Sequence, residues 1–160
     1  MNEIKKVYVD IDNARDDSQR EILRKIIESG DDPFDPENLL KYHNKPILIK
    51  GKYWWATENQ WPYKGSKKHF FLIYVKKYID SIQEIPSEAF VELIQIVQRL
   101  SMEHSIIGGG LCMRFGDTKK TGATVKRLHV QLIEPDMDSD KQVVFYFGEP
   151  NSLRKEAKSE

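Results

Sequence analysis

One long amphipathic helix, predicted from Ser87 to about His104, constrains the fold more than any other part of the chain. Its apolar side chains recur three and four residues apart and so share one face: Phe90, Leu93, Ile94, Val97 and Leu100. Ser87 is the predicted N-cap, and Glu88 complements the helix dipole in the first turn. Because an apolar face of this kind is buried against another layer, we expect the helix to pack on a sheet.

The composition excludes several classes of protein. Of the 160 residues, 39% are hydrophobic and 31% are charged, which is typical of a folded chain. The 25 basic residues equal the 25 acidic ones, so no net field draws the chain to nucleic acid or to a membrane, and we expect it to bind neither. Cys112, the single cysteine, cannot form an internal disulfide, and no apolar block resembles a signal peptide or a membrane span. We expect a cytoplasmic protein.

The other segments predict a second helix and a set of strands. The second helix runs from Asp16 to Ser29, with Gly30 as its stop. Strands are predicted over residues 46–50, 53–57, 69–76, 111–115, 125–133 and 143–147, and the third is apolar on both faces and therefore central. We predict an α+β fold: a mostly antiparallel sheet of about five strands, one long helix packed on it, and an N-terminal helix. A single domain spans residues 1–150, and residues 151–160 form a charged tail.

One predicted strand, residues 126–133, combines a core face with a polar face. Successive strand side chains point to opposite sides, so Arg127, His129 and Gln131 share one face. Neighbours on that face lie only ~7 Å apart, close enough for all three to contact one phosphate group. The same alternation is also typical of any half-exposed antiparallel strand.

Residues 109–117 and 121–133 resemble the histidine triad (HIT) superfamily of nucleotide hydrolases and transferases. The segment reads Gly122-Ala123-Thr124-Val125 and then Arg127-Leu128-His129-Val130-Gln131-Leu132-Ile133, where the family has His-φ-His-φ-His-φ-φ and φ is apolar. The likeness extends upstream through Trp61-Pro62-Tyr63, residues 69–77 and the helix that begins at Ser87. It therefore implies a HIT-like domain with a core of about residues 31–135.

The resemblance implies roles for four residues. His129 matches the middle histidine, the nucleophile that attacks the α-phosphorus of a nucleotide and becomes nucleotidylated; with an ordinary pKa of about 6.5, an imidazole is largely neutral at pH 7. Gln131 matches the third position, as in the transferase branch, where it would hold phosphate but carry no proton. Arg127 replaces the first histidine and would either bind phosphate or fill the site of a degenerate enzyme. Thr124 matches a residue that hydrogen-bonds a phosphate oxygen or the leaving group, or it caps a turn.

A structural zinc site is a further feature of many bacterial relatives, which carry Cys-Pro-Phe-Cys in the loop before the hairpin. Here that loop reads Asp32-Pro33-Phe34-Asp35, and His43 and His69 match the two remaining ligands. Structural zinc sites favour thiolates strongly, so we expect a plain aspartate turn without zinc. The chemistry implied for His129 requires no cofactor.

Together the residues and the resemblance imply a nucleotide-processing enzyme. It would act as a nucleotidylyl transferase, a phosphorylase or a weak hydrolase at the α-phosphate of a purine or pyrimidine nucleotide or a dinucleoside polyphosphate, through a covalent nucleotidyl-histidine. The alternative is a catalytically degenerate module that binds nucleotides or regulates, because neither Arg127 nor Gln131 supplies an acid. Family members are usually homodimers, and the resemblance implies the same here.

Overall fold

The structure is a computed structural model that describes residues 5–148. Its helices are α1 (Asp17–Ser29), α2 (Leu39–Tyr42), α3 (Ser87–Glu103) and α4 (Thr118–Thr121), with short 3-10 turns at Ile11–Asn13 and Ile82–Glu84. Its strands are β1 (Ile47–Lys50), β2 (Trp54–Glu58), β3 (Ser66–Tyr74), β4 (Gly110–Arg114) and β5 (His129–Pro135). The predicted charged tail, residues 151–160, lies outside the described residues.

The five strands form one antiparallel sheet in the order β1-β2-β3-β5-β4. The central place of β3 explains its apolar sequence, since residues from Phe70 to Tyr74 are all buried. The predicted α+β class, the sheet of about five strands and both helices are thus confirmed. Within residues 5–148, no helix is both long enough and apolar enough to cross a bilayer.

Helix α3 covers one face of the sheet, as predicted, but it is rotated relative to the predicted contact face. Its buried residues are Ala89, Leu93, Ile96 and Leu100. Phe90 and Ile94, which the prediction placed in the core, are 37% and 47% exposed. The N-cap is Pro86 rather than Ser87, and no side chain caps that end. The apolar stripe of α3 is wider than its contact with the sheet, so residues at the margin of the stripe are exposed to solvent.

The opposite face of the sheet is covered by α1 and by the loop that contains Asp32 and Phe34. Helix α1 begins where the Asp16 carboxylate accepts a hydrogen bond from the Gln19 backbone N–H, 2.8 Å away. It ends at Gly30, whose φ of 76° is the left-handed conformation that glycine adopts at little cost. Leu23 and Ile26 of this helix are buried. This second layer encloses the space above the polar face of β5.

One predicted strand boundary and one whole predicted strand are wrong. β5 begins at His129 rather than at Val125, because the backbone before it pairs elsewhere: the Lys126 N–H donates to the Tyr8 carbonyl and the Leu128 N–H to the Ile79 carbonyl. Residues 143–147 form no strand, although their composition suits one. A strand needs a neighbouring backbone, and here the Tyr146 carbonyl accepts hydrogen bonds from the Arg114 side chain instead.

Candidate functional site

A cavity of about 1300 Å³ lies on the sheet face opposite α3. Its walls come from α1, from residues 59–64, from residues 122–125, from β5 and from residues 140–146. His129 and Gln131 line it from the sheet, and Thr124 lines it from the loop before β5. Arg127 does not line it. Two of the three residues predicted to share one face therefore meet in the cavity.

The imidazole of His129 is held in one tautomer by the main chain. Its Nδ1 lies 2.8 Å from the Arg127 carbonyl oxygen. Since a carbonyl can only accept, Nδ1 carries the proton, and Nε2 keeps its lone pair. The edge of the ring meets Phe34, with 5.1 Å between ring centroids. Burial lowers the pKa of His129 to about 4, against a weaker opposing effect of the bond to Arg127. At neutral pH the ring is therefore uncharged.

Gln131 is oriented by a chain of three hydrogen bonds. The Tyr63 backbone N–H donates to Nδ1 of His69 at 3.1 Å, so the His69 proton sits on Nε2. That Nε2–H donates to Oε1 of Gln131 at 2.6 Å. The Asn59 side-chain amide also donates to Oε1, at 3.4 Å. With Oε1 occupied, the amide nitrogen of Gln131 is left to donate to a ligand in the cavity. Burial lowers the pKa of His69 to about 4, which keeps this chain neutral.

Arg127 is buried in an ion-pair cluster below the cavity, and its side chain is only 2% exposed. Its guanidinium lies 2.8 Å from the carboxylate of Asp32 and 3.4 Å from that of Asp35. It also donates to the Tyr74 and Val75 carbonyl oxygens, at 2.7 and 3.2 Å. The Arg127 side chain is held at the loop that contains Asp32 and does not line the cavity. Its carbonyl, rather than its guanidinium, contacts the His129 ring.

Thr124 is half-buried in the loop that leads into β5. Its carbonyl accepts a hydrogen bond from the Asp10 N–H at 2.8 Å. The side-chain amide of Asn13 fixes the same loop by donating to the Thr118 and Ala123 carbonyls, at 3.0 and 2.9 Å. The N-terminal segment thereby positions one wall of the cavity.

The four predicted metal-ligand candidates have other partners. Asp32 and Asp35 both bind Arg127. The Nε2 of His43 lies 2.7 Å from the Thr57 hydroxyl, and burial lowers the pKa of this histidine to about 4. Both ring nitrogens of His69 are hydrogen-bonded. In the part of the chain that the structure describes, no three His, Cys, Asp or Glu side chains are grouped so as to hold a metal ion. A guanidinium sits between the two carboxylates, so these residues do not fit the relatives' zinc.

Two functional candidates were not found from the sequence, Arg15 and Arg114. Arg114 lies directly opposite His129 in the β4–β5 pairing, so both side chains stand on the same sheet face. The strand prediction for residues 111–115 contained this arginine, but the register that places it beside His129 is a property of the folded sheet. Arg15 lies just before α1, outside the segment that resembles the HIT superfamily, and no sequence signal singles it out.

Comparison with known proteins identifies solved structures that have a similar fold. No family model matches the chain, and no curated protein does. Among solved structures, a HIT family hydrolase from Clostridium thermocellum is 18% identical with a TM-score of 0.51, over 66% of this chain and 91% of that one. A Hit-like protein involved in cell-cycle regulation from Bartonella henselae is also 18% identical with a TM-score of 0.51, over 80% and 94%. The chain has the histidine triad fold. At this identity the likeness concerns architecture, and about a third of the chain lies outside the first match.

Proposed function

We propose that this chain is a nucleotide-processing enzyme of the HIT superfamily, which acts at a nucleotide α-phosphate through a covalent nucleotidyl-His129. One observation carries the proposal: His129 lines the cavity with Nδ1 bound to the Arg127 carbonyl, which leaves Nε2 with its lone pair on a neutral ring. A neutral imidazole with an available lone pair is the form that nucleophilic catalysis requires.

In the proposed reaction, the Nε2 lone pair attacks the α-phosphorus. A P–N bond forms, the bond from phosphorus to the leaving group breaks, and the leaving group takes the electron pair. The ring becomes an imidazolium whose Nδ1–H still donates to the Arg127 carbonyl. Water or phosphate then attacks the phosphorus and releases His129 by breaking the P–N bond. The amide nitrogen of Gln131 donates to a phosphate oxygen throughout, and the Thr124 hydroxyl is the proposed second donor.

Part of the cavity lining suits a nucleoside. It consists of apolar and aromatic side chains, namely Ile22, Leu23 and Ile26 of α1, Phe34 of the loop after α1, and Tyr42 of α2. A planar base gains both burial and ring contact in such a site. This lining supports a purine or pyrimidine nucleotide as the ligand, rather than a small phosphorylated metabolite.

A second candidate is a nucleotide-binding module without turnover. It is favoured by the ion pairs of Arg127, which remove that guanidinium from phosphate binding, and by the absence of a transferable proton on Gln131. Both candidates bind nucleotide, but only the enzyme becomes labelled on His129.

The decisive experiment is incubation with α-labelled ATP or UTP and with diadenosine tetraphosphate, followed by denaturation and recovery of the protein. We expect an acid-labile, base-stable adduct with the wild type and none with His129→Ala. His104→Ala is the matched control, since that histidine lies at the end of α3 and does not line the cavity. If the wild type forms no adduct and consumes no nucleotide faster than His129→Ala, the enzyme proposal is wrong and the binding module remains.

We further propose a homodimer in the cytoplasm. β4 is an edge strand of the sheet, and Leu111 on it is 42% exposed. Phe90, Val91 and Ile94 of α3 are 37%, 58% and 47% exposed, which is unusual for large apolar residues of one helix. Light scattering should give twice the 18.7 kDa of one chain. A monomer at micromolar concentration would contradict this proposal.

A further inference from the structure

Two arginines outside the predicted triad converge on one part of the cavity. The guanidinium carbon of Arg15 lies 4.7 Å from the ring centroid of Tyr63. Nη1 of Arg114 donates to the hydroxyl of the same tyrosine at 3.2 Å. All three residues line the cavity. Both arginines therefore contact Tyr63 within one cavity.

Neither guanidinium forms an ion pair with another residue that the structure describes. Over residues 5–148, neither Arg15 nor Arg114 is within ion-pair distance of a carboxylate. Their hydrogen-bond acceptors are instead backbone carbonyls, Trp61 for Arg15 at 2.9 Å and Tyr146 for Arg114. Burial lowers the pKa of Arg15; Tyr63 and the charge of Asp16 oppose this effect, and the charge of Arg114 adds a smaller lowering. Two like charges that are held near each other with no carboxylate in direct contact are costly, and a bound anion offsets that cost.

The local charge differs from that of the whole chain. The chain has as many acidic as basic residues. The cavity, in contrast, is lined by four cationic side chains and two carboxylates: Arg15, Lys64, Arg114 and Lys141 against Asp16 and Asp140. With its two lining histidines, His43 and His129, held neutral by burial, the cavity has an excess of positive charge. A concave surface with that excess concentrates anions.

This excess charge lies beside the proposed nucleophile. Arg114 is paired with His129 across β4 and β5. After burial, the charge of Arg114 is a further cause of the lowered pKa of His129, and the charge of Arg15 acts in the same direction on His69. The two arginines thus flank His129 and the partner of Gln131.

The chemistry of the triad positions limits the leaving group. Gln131 has no proton to transfer, and Arg127 keeps its protons in the ion pairs with Asp32 and Asp35. An alcohol or an amine departs well only when an acid protonates it. A phosphate or polyphosphate departs as a delocalised anion, and fixed cations stabilise the charge that develops on it.

We propose that Arg15 and Arg114 bind an anionic, phosphate-terminated leaving group, so that the substrate is a phosphoanhydride of a nucleotide rather than a phosphoramidate or a simple ester. This assignment rests on the proposed function. When His129 attacks, the α-phosphorus–oxygen bond breaks, and the bridging oxygen leaves with its electron pair on the phosphate that the two arginines hold. No proton is required for this step. Arg15 and Arg114 are accordingly specificity-determining residues.

Equilibrium binding in EDTA is the first test, with ATP and AMP as probes and calorimetry as the readout. The variants are Arg15→Gln, Arg114→Gln, Arg114→Lys and the double glutamine variant. The control is Lys67→Gln, an exposed lysine that does not line the cavity.

We expect the wild type to bind ATP at least tenfold more tightly than AMP. Each glutamine variant should reduce that preference roughly tenfold, the usual value of a charge-assisted hydrogen bond, while AMP affinity changes less than threefold. Arg114→Lys should retain part of the preference.

The second test compares labelling of His129 by diadenosine triphosphate and by adenosine 5′-phosphoramidate. We expect the anhydride to react at least tenfold faster, and the arginine variants to slow only the anhydride. Equal labelling by both compounds, or an ATP preference that the variants leave unchanged, would overturn the arginine assignment while the proposed function stands. No binding of AMP or ATP and no labelling by either compound would overturn both. Arg15→Gln keeps the test valid if variants of Arg114 unfold, since the two side chains lie on separate elements.

Discussion

Oε1 of Gln131 lies 2.6 Å from Nε2 of His69, and this contact determines which end of the amide faces the cavity. His69 can only donate at that nitrogen, because its Nδ1 accepts from the Tyr63 backbone N–H. The neutral His69 thus acts as a positioning residue for Gln131. The donor comes from the neighbouring strand, since the His69 side chain lies on β3, which pairs with β5.

Replacement Gln131→Glu should abolish the donor and place a negative charge beside the proposed phosphate position. We expect labelling of His129 to fall about a hundredfold, the usual cost of losing one donor to a developing oxyanion. The pKa of His69 should rise, because its partner becomes a carboxylate. Labelling rates and an NMR titration of His69 measure the two effects. Gln98→Glu, the same change at an exposed position of α3, should alter neither. Unchanged labelling in Gln131→Glu would remove Gln131 from the site.

The buried ion pair between Arg127 and Asp32 predicts a large effect on stability. Replacement Arg127→Met leaves the Asp32 carboxylate buried without a cation, so we expect the free energy of unfolding to fall by about 3–5 kcal/mol in urea denaturation. Asp35→Asn is the matched comparison, since that side chain is 40% exposed and 3.4 Å from the guanidinium. It should cost less than about 1 kcal/mol. Similar decreases in the free energy of unfolding for both variants would mean that burial does not determine how much each ion pair stabilises the protein.

The same cluster shows where sequence reasoning reached its limit. Alternation placed His129 and Gln131 on one face, and both do line the cavity. Arg127 precedes the first residue of β5, and its side chain is held in ion pairs with Asp32 and Asp35 instead of lining the cavity. Side chains alternate between the two faces of a sheet only within a strand, and no local sequence pattern marked His129 as the first residue of β5.

The arginines of the cavity illustrate a second limit. Placing Arg114 beside His129 requires the register between β4 and β5, and placing Arg15 requires the path of the N-terminal segment. Both are long-range properties that hydrophobic periodicity does not contain. The long helix and the central strand, in contrast, were predictable because their signals are local and strong.

Adjacent glycines before β4 give a sharp test of backbone packing. A Cβ on Gly109 would lie 2.4 Å from the carbonyl oxygen of Ile133, within the sheet. A Cβ on Gly108 would meet nothing within 4 Å. We therefore expect Gly109→Ala to destabilise the protein by about 1–3 kcal/mol and Gly108→Ala to change stability by less than about 0.5 kcal/mol. Thermal and urea unfolding of the pair measure the difference. Equal stabilities would contradict the close approach of Gly109 to β5.

Stability should decrease as the pH falls from about 6.5 to about 4. The pKa values of His43, His69 and His129 are each lowered from 6.5 to about 4, mainly by burial. Between these values the unfolded chain binds protons that the native chain does not, so the free energy of unfolding rises with pH. Each histidine contributes on the order of 1 kcal/mol per pH unit in this window. Below about pH 4 these histidines are protonated in both the native and the unfolded state, so the stability that they contribute at higher pH is lost.

Asp16 titrates in a lower pH window than these histidines. Hydrogen bonds from the Gln19 backbone and the Ser18 side chain lower the pKa of Asp16 from 3.8, so its contribution is lost only at still lower pH. Urea midpoints measured from pH 7 to pH 4.5 should therefore report the histidines. His69→Gln should reduce the slope by about one third. Labelling of His129 should stay nearly constant down to about pH 5, because its imidazole remains neutral there. A decline centred on pH 6.5 would show an ordinary, solvent-exposed histidine and contradict the buried nucleophile.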